Sequence, residues 1–95
     1  MPRQHKTTKN LDRILVKLRK KDKKLYENLL GKMQEVLEIY DVEHYKNLRY
    51  DLKEFKGVHV GSFVLVFRYD KQNDFIYFAD FDHHDKIYKK SFEEE

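Results

Sequence analysis

Ninety-five residues, 39% of them charged and none of them cysteine, exclude a disulfide framework, a zinc–thiolate site and a thiol nucleophile. No apolar run approaches the roughly 18 residues of a membrane span, and the polar start leads into no signal-like apolar core. A soluble, cytoplasmic protein with a single domain over residues 1–95 is expected, with the fourteen Phe and Tyr residues supplying its core. The net charge of +3 is unevenly placed: residues 1–24 hold ten Lys/Arg against Asp12 and Asp22, +8, and residues 25–95 hold ten against fifteen acids, −5. A basic stretch of that density suits a polyanion such as RNA or an acidic protein partner, and it equally suits a solvated face that keeps a small protein soluble.

In chain order, residues 3–7 are polar and at best an edge strand. Leu11, Ile14, Leu15 and Leu18 recur at three- and four-residue spacing, which predicts an amphipathic helix over about residues 9–20 with a basic opposite face. Asp22 is placed to cap a second helix, in which Leu25, Leu29, Met33, Val36, Leu37 and Tyr40 form one stripe. The short link between them implies an antiparallel helical hairpin over about residues 9–40.

From Asp51 the pattern changes to β-branched and aromatic residues, with turn signals at Gly61-Ser62 and over residues 70–74. Strands are predicted near residues 54–60, 63–69 and 75–81. If Gly61-Ser62 is the loop of a type II′ hairpin, Val60 pairs with Phe63 and His59 with Val64. His59, Val64, Val66 and Arg68 then share one face, and Phe63, Leu65 and Phe67 face the helices. The expected fold class is α+β, a helical hairpin packed on a small twisted, mostly antiparallel sheet whose open face carries the site. The sheet and site span about residues 52–90, and residues 91–95 form a frayed acidic tail.

The chemistry gathers at Asp82-His83-His84-Asp85-Lys86-Ile87-Tyr88-Lys89-Lys90. A histidine four residues before a tyrosine, among lysines, supplies a group that can carry a proton at neutral pH, a second donor and positive charge for phosphate. His59 and His84 are candidate base and acid in either order, with Tyr88 stacking on a base or donating its hydroxyl, although by position alone His59 reads more readily as a hairpin histidine satisfied by a neighbouring carboxylate. Lys53, Lys56, Arg68, Lys86 and, less strongly, Arg49 are candidate phosphate contacts, although each also serves as an ordinary surface charge. A metal centre is not expected, because in an extended segment alternation sends Asp82 and His84 to one side and His83 and Asp85 to the other.

The order helix, helix, three strands and a terminal His/Tyr element resembles the RelE/ParE superfamily of toxins. Its most specific parts are Asn47-Leu48-Arg49-Tyr50-Asp51-Leu52-Lys53-Glu54-Phe55-Lys56-Gly57-Val58-His59-Val60-Gly61-Ser62-Phe63-Val64-Leu65-Val66-Phe67 and Asp82-His83-His84-Asp85-Lys86-Ile87-Tyr88. The combination looks like the archaeal RelE-like branch, with a histidine pattern similar to the YafQ type. The resemblance implies a metal-independent mRNA endonuclease, without cofactor, that acts on the ribosome. There the ribose 2′-OH attacks the adjacent phosphate, with His59, His84 and Tyr88 at the matching positions. It also implies a RelB-like antitoxin lying in apolar grooves beside the helices or along the sheet edge. Two features depart from the family. Val64 stands where many RelE-like toxins place a basic residue after the strand aromatic, and Ser62 replaces the acidic residue that the YafQ type carries just before it. A gyrase-inhibiting toxin of the ParE class and a catalytically silent, antitoxin-binding relative remain as alternatives.

Overall fold

The computed structural model describes residues 2–90; the predicted acidic tail lies outside the described residues. Strand β1 (Gln4–Thr7) leads into helix α1 (Lys9–Lys21) and helix α2 (Lys23–Glu38). After two single-turn 3₁₀ segments, Val42–His44 and Tyr50–Leu52, come β2 (Lys56–Val60), β3 (Phe63–Asp70), β4 (Phe75–His83) and the short helix α3 (His84–Ile87). The four strands form one sheet in the order β1-β4-β3-β2, parallel between β1 and β4 and antiparallel elsewhere. The polar first segment therefore does form a strand, and it is an edge strand.

Side-chain caps fix the helix boundaries. The Thr8 hydroxyl accepts from the Leu11 N–H at 3.1 Å and donates to the Ala79 carbonyl at 2.6 Å, so one residue both starts α1 and ties it to β4. Asp22 caps α2 by accepting from the Leu25 N–H at 3.1 Å, as its position in the sequence predicts. Such caps contribute about 1 kcal/mol each. The α2 stripe ends before Tyr40, which is 98% exposed. Ile39 turns the backbone to the extended region, and the Arg3 guanidinium takes the Leu37, Ile39 and Tyr40 carbonyls, so the helical phase is lost one residue before Tyr40.

Between the helices and the sheet lies the larger apolar cluster, with Leu11, Leu29, Val36, Leu65, Phe67, Ile76, Phe78 and Phe81 at its centre. Phe78 and Phe81 both reach this face despite their odd spacing. Val66 pairs with Asp80 and Phe67 with Phe78, so Ala79 is an extra residue that resets the alternation of β4. Each such side chain, fully buried, contributes roughly 1.5–3 kcal/mol of hydrophobic stabilisation.

The opposite face is not open, as alternation alone suggests. Leu48, Leu52, Phe55 and Ile87 pack over Val64, Val66 and Ala79 as a second cluster. The residues expected to begin the first long strand, Glu54 and Phe55, instead close a turn: the Phe55 N–H donates to the Leu52 carbonyl at 2.9 Å, and the Leu48 N–H to the Phe55 carbonyl at 2.8 Å. This folds the 47–55 loop down onto the sheet. Gly57 permits the close approach, since a Cβ there would stand 2.8 Å from Leu48 Cδ2 and 3.0 Å from Val64 Cγ1. Among the described residues, no helix is long and apolar enough to cross a membrane.

Candidate active site

The β2–β3 hairpin has the predicted register, with Val60 opposite Phe63 and His59 opposite Val64. Gly61 takes a φ of 61° while Ser62 is not among the positive-φ residues, as a type II′ loop requires. The loop does more than reverse the chain: the Ser62 carbonyl accepts from the backbone N–H of His84 at 3.1 Å. That bond, together with Ile87 buried against the sheet, fixes α3 beside the hairpin. The rings of His59 and His84 consequently lie 6.3 Å apart, tilted by 57°.

Both rings line a cavity of about 530 Å³. Leu48, Gly57, Val64 and Ile87 also line it, with Lys46, Asn47, Arg49, Tyr50 and Tyr88. Tyr88 is held in place: its hydroxyl oxygen accepts from the Arg49 N–H at 3.2 Å, and its ring meets that of Tyr50 edge-on with centroids 6.0 Å apart. The cavity thus joins two imidazoles and two phenols with the residues Lys46 and Arg49, over an apolar floor. Those groups can accept a proton, donate one and compensate the charge of a phosphate.

The predicted residues divide sharply. His59, His84, Tyr88 and Arg49 converge on the cavity. Lys53 and Lys86 are exposed and do not line it. Lys56, expected to meet phosphate, is only 5% exposed, and its ammonium donates to the Tyr45 carbonyl at 3.0 Å and to Asn47 Oδ1 at 2.8 Å. It anchors the 47–55 loop from below. Arg68 shares the face of His59 but lies over the Tyr77 ring at 4.5 Å. It is four residues along β3 from the partner of His59, roughly 13 Å at 3.3 Å per residue.

Val64, which stands where a basic residue was anticipated, is 6% exposed on the cavity floor. The position is packed against Gly57 and the second cluster, so its side chain contributes shape and no charge.

Alternation does not separate the terminal histidines, because the chain turns into α3 at His84. His83, His84 and Asp85 bring one donor atom each within 4.8 Å of one another, with His84 Nδ1 3.2 Å and His83 Nδ1 3.8 Å from the Asp85 carboxylate. These are the described residues that could hold a cation.

Behind this element, Lys90 bridges Asp82 at 2.6 Å and Asp80 at 2.9 Å, while Asn10 from α1 donates to Asp80 at 2.9 Å. Burial alone pushes the Asp82 carboxyl up, but the hydrogen bond from Lys90 and that from the His83 N–H outweigh it and hold it below the usual carboxylate range. Burial likewise pushes Lys90 down, and the two carboxylates overcome it and raise it. The network locks the end of β4 to α1 and to the segment after Tyr88.

The sequence reading missed Tyr50. It adopts a φ of 59°, in the left-handed region, and is 78% exposed at the cavity mouth. A bulky residue there is a genuine outlier that costs about 1–3 kcal/mol, and no periodicity or turn signal foretells it.

Over 82 residues the chain is 54% identical to a Methanocaldococcus jannaschii protein named "Putative toxin RelE4", covering 85% of each chain. The chain belongs to the RelE toxin superfamily. A Methanosarcina mazei protein of uncharacterised function is 43% identical over 84 residues, 87% of this chain and 95% of that protein. No protein-family model matches. Among solved structures, the toxin–antitoxin complex RelBE2 from Mycobacterium tuberculosis superposes with a TM-score of 0.71 at 19% identity, covering 88% of this chain and 93% of that one. A conserved hypothetical protein of Helicobacter pylori, HP0892, gives 0.54 at 25% identity, with 90% and 98% covered. These likenesses show the RelE-like fold of a helical hairpin on a four-stranded, mostly antiparallel sheet.

Proposed function

We propose that this RelE-type toxin is an endoribonuclease that cuts mRNA on the ribosome by metal-independent acid–base chemistry and is held inactive by a RelB-like antitoxin. The observation that carries the reading is the convergence of His59 and His84, 25 residues apart in sequence, across one cavity that also holds Tyr88 and Arg49. A phosphate between the two rings would meet both. One imidazole takes the proton of the ribose 2′-OH as its oxygen attacks phosphorus, and the other gives a proton to the departing 5′ oxygen. The products are a 2′,3′-cyclic phosphate and a 5′-hydroxyl. Arg49 and Lys46 offset the charge that builds on the phosphorane, and the fixed ring of Tyr88 orients the nucleotide.

The basic outer face of α1 suits ribosomal RNA, with which it would dock the toxin at the message. The antitoxin assignment is supported by the RelE4 relative and by the toxin–antitoxin complex that shares the fold.

The test is message cleavage in a translating extract, mapped by primer extension, with wild-type protein, His84→Ala and Tyr88→Phe. Cuts that depend on ribosomes and vanish in His84→Ala are expected. Absence of cuts with translation unimpaired would refute the reading.

A further inference from the structure

We propose that Tyr50 is a stacking platform for an unpaired nucleobase beside the scissile phosphate, and so a determinant of which base is accepted there. The inference deepens the RNA-cleaving reading and rests on it for the identity of the ligand.

Tyr50 occupies a backbone conformation that glycine adopts without strain and a bulky L-residue rarely adopts. Its side chain gives the fold little in return, since most of the ring faces solvent. A residue that strains its backbone and buries little is poorly explained by packing. Tyr40 offers the contrast: it is still more exposed, but it has no positive φ and lines neither described cavity.

The conformation persists because the loop around it is over-determined. The Lys53 N–H donates to the Tyr50 carbonyl, Asn47 Nδ2 donates to the Lys53 carbonyl at 2.7 Å, and the Leu48 N–H to that of Phe55 at 2.8 Å. The Arg49 N–H, one residue before Tyr50, is fixed on the Tyr88 hydroxyl. Strain of this kind survives where the surroundings impose it, and it gathers at ligand clamps.

What the clamp presents is an aromatic corner. Tyr88 and Tyr50 meet at an interplanar angle of 80°, edge to face, at the rim of the cavity that holds the two histidines. Every nucleobase has a π-face for such a surface, and Arg49 and Lys46 beside it suit the flanking phosphates. The juxtaposition fits a single-stranded polynucleotide better than a small anion, for which the exposed ring would add nothing.

The chain contains no tryptophan, so Tyr50→Trp introduces a sole indole at the platform. Titration of this variant with a short 2′-O-methyl oligoribonucleotide, which cannot be cut, is expected to quench the indole emission saturably. An abasic oligonucleotide of the same length is expected to bind weakly without quenching. Tyr50→Gly is expected to raise Tm by relieving the left-handed strain and to weaken oligonucleotide affinity roughly 10- to 100-fold, while Tyr50→Phe retains both properties. A Tyr50→Gly protein with higher Tm and unchanged affinity, or a wild-type protein that binds no oligonucleotide, would overturn the platform. Binding without cuts in the translating extract would overturn the cleavage reading and leave the platform standing.

Discussion

His59 on the edge strand β2 and His84 at the start of α3 face each other with ring centroids 6.3 Å apart, because the Ser62 carbonyl holds the His84 N–H. Each ring is exposed on a rigid element, so replacing either removes chemistry more than structure. His59→Ala and His84→Ala are each expected to lower message cleavage about 10²- to 10⁴-fold with little change in Tm. The double variant is expected to lose little beyond the worse single one, since proton transfer at both ends serves one reaction. Additive losses in primer-extension yields would show that the two act independently.

The Lys90–Asp82–Asp80 network predicts a pH dependence of stability. Asp82 is held below its unfolded value, so its contribution is fully present above about pH 5 and disappears as pH falls through its lowered folded-state value. Lys90 is raised, so its contribution is present below about pH 10 and disappears as pH climbs through the raised value. Lys90→Met is expected to cost about 2–3 kcal/mol at pH 7, because Asp80 is left buried with a charge that Asn10 and its neighbouring N–H only partly satisfy. It is also expected to flatten the acid limb of a Tm–pH curve. An unchanged acid limb would remove Lys90 as the cause of the Asp82 shift.

Gly57→Ala tests the close approach of the 47–55 loop to the sheet. The added methyl would stand 2.8 Å from Leu48 Cδ2 and 3.0 Å from Val64 Cγ1. Leu48, unbranched at Cβ, can yield more readily than the β-branched Val64. We expect a loss of about 1–3 kcal/mol in denaturant unfolding, with cleavage reduced as Leu48 displaces the loop that carries Arg49 and Tyr50. Full stability would mean that the loop yields more easily than its hydrogen bonds indicate.

Val64→Arg addresses the departure from the familial basic residue. The side chain at 64 meets the cavity floor between the strand of His59 and the helix of His84, so a guanidinium would enter the cavity where the proposed reaction seats a phosphate. The variant is expected to lose about 1–3 kcal/mol of packing and to gain roughly tenfold in cleavage rate. A destabilised protein with no gain would show that Arg49 and Lys46 already supply the charge the reaction uses.

The sequence by itself determined the helical hairpin, the three long strands and the His59–Val64 register. Each follows from local periodicity, from a cap such as Asp22, or from a two-residue glycine turn that leaves one pairing. It also offered His84 and Tyr88 as proton-transfer groups beside lysines, whereas His59 rested on the resemblance to the RelE family and Arg49 was the weakest of the candidate phosphate contacts. Only the tertiary structure decided that Lys56 is a buried anchor and that Arg68 lies over Tyr77, since alternation assigns a face and says nothing of what covers it. The same holds for Ala79, whose extra place in β4 resets a period-two pattern that residue types alone do not reveal. Tyr50 is the extreme case: its left-handed backbone is imposed by hydrogen bonds from residues 47 to 55 and by Tyr88, far along the chain. A conformation held by distant partners leaves no local trace in the residues that adopt it.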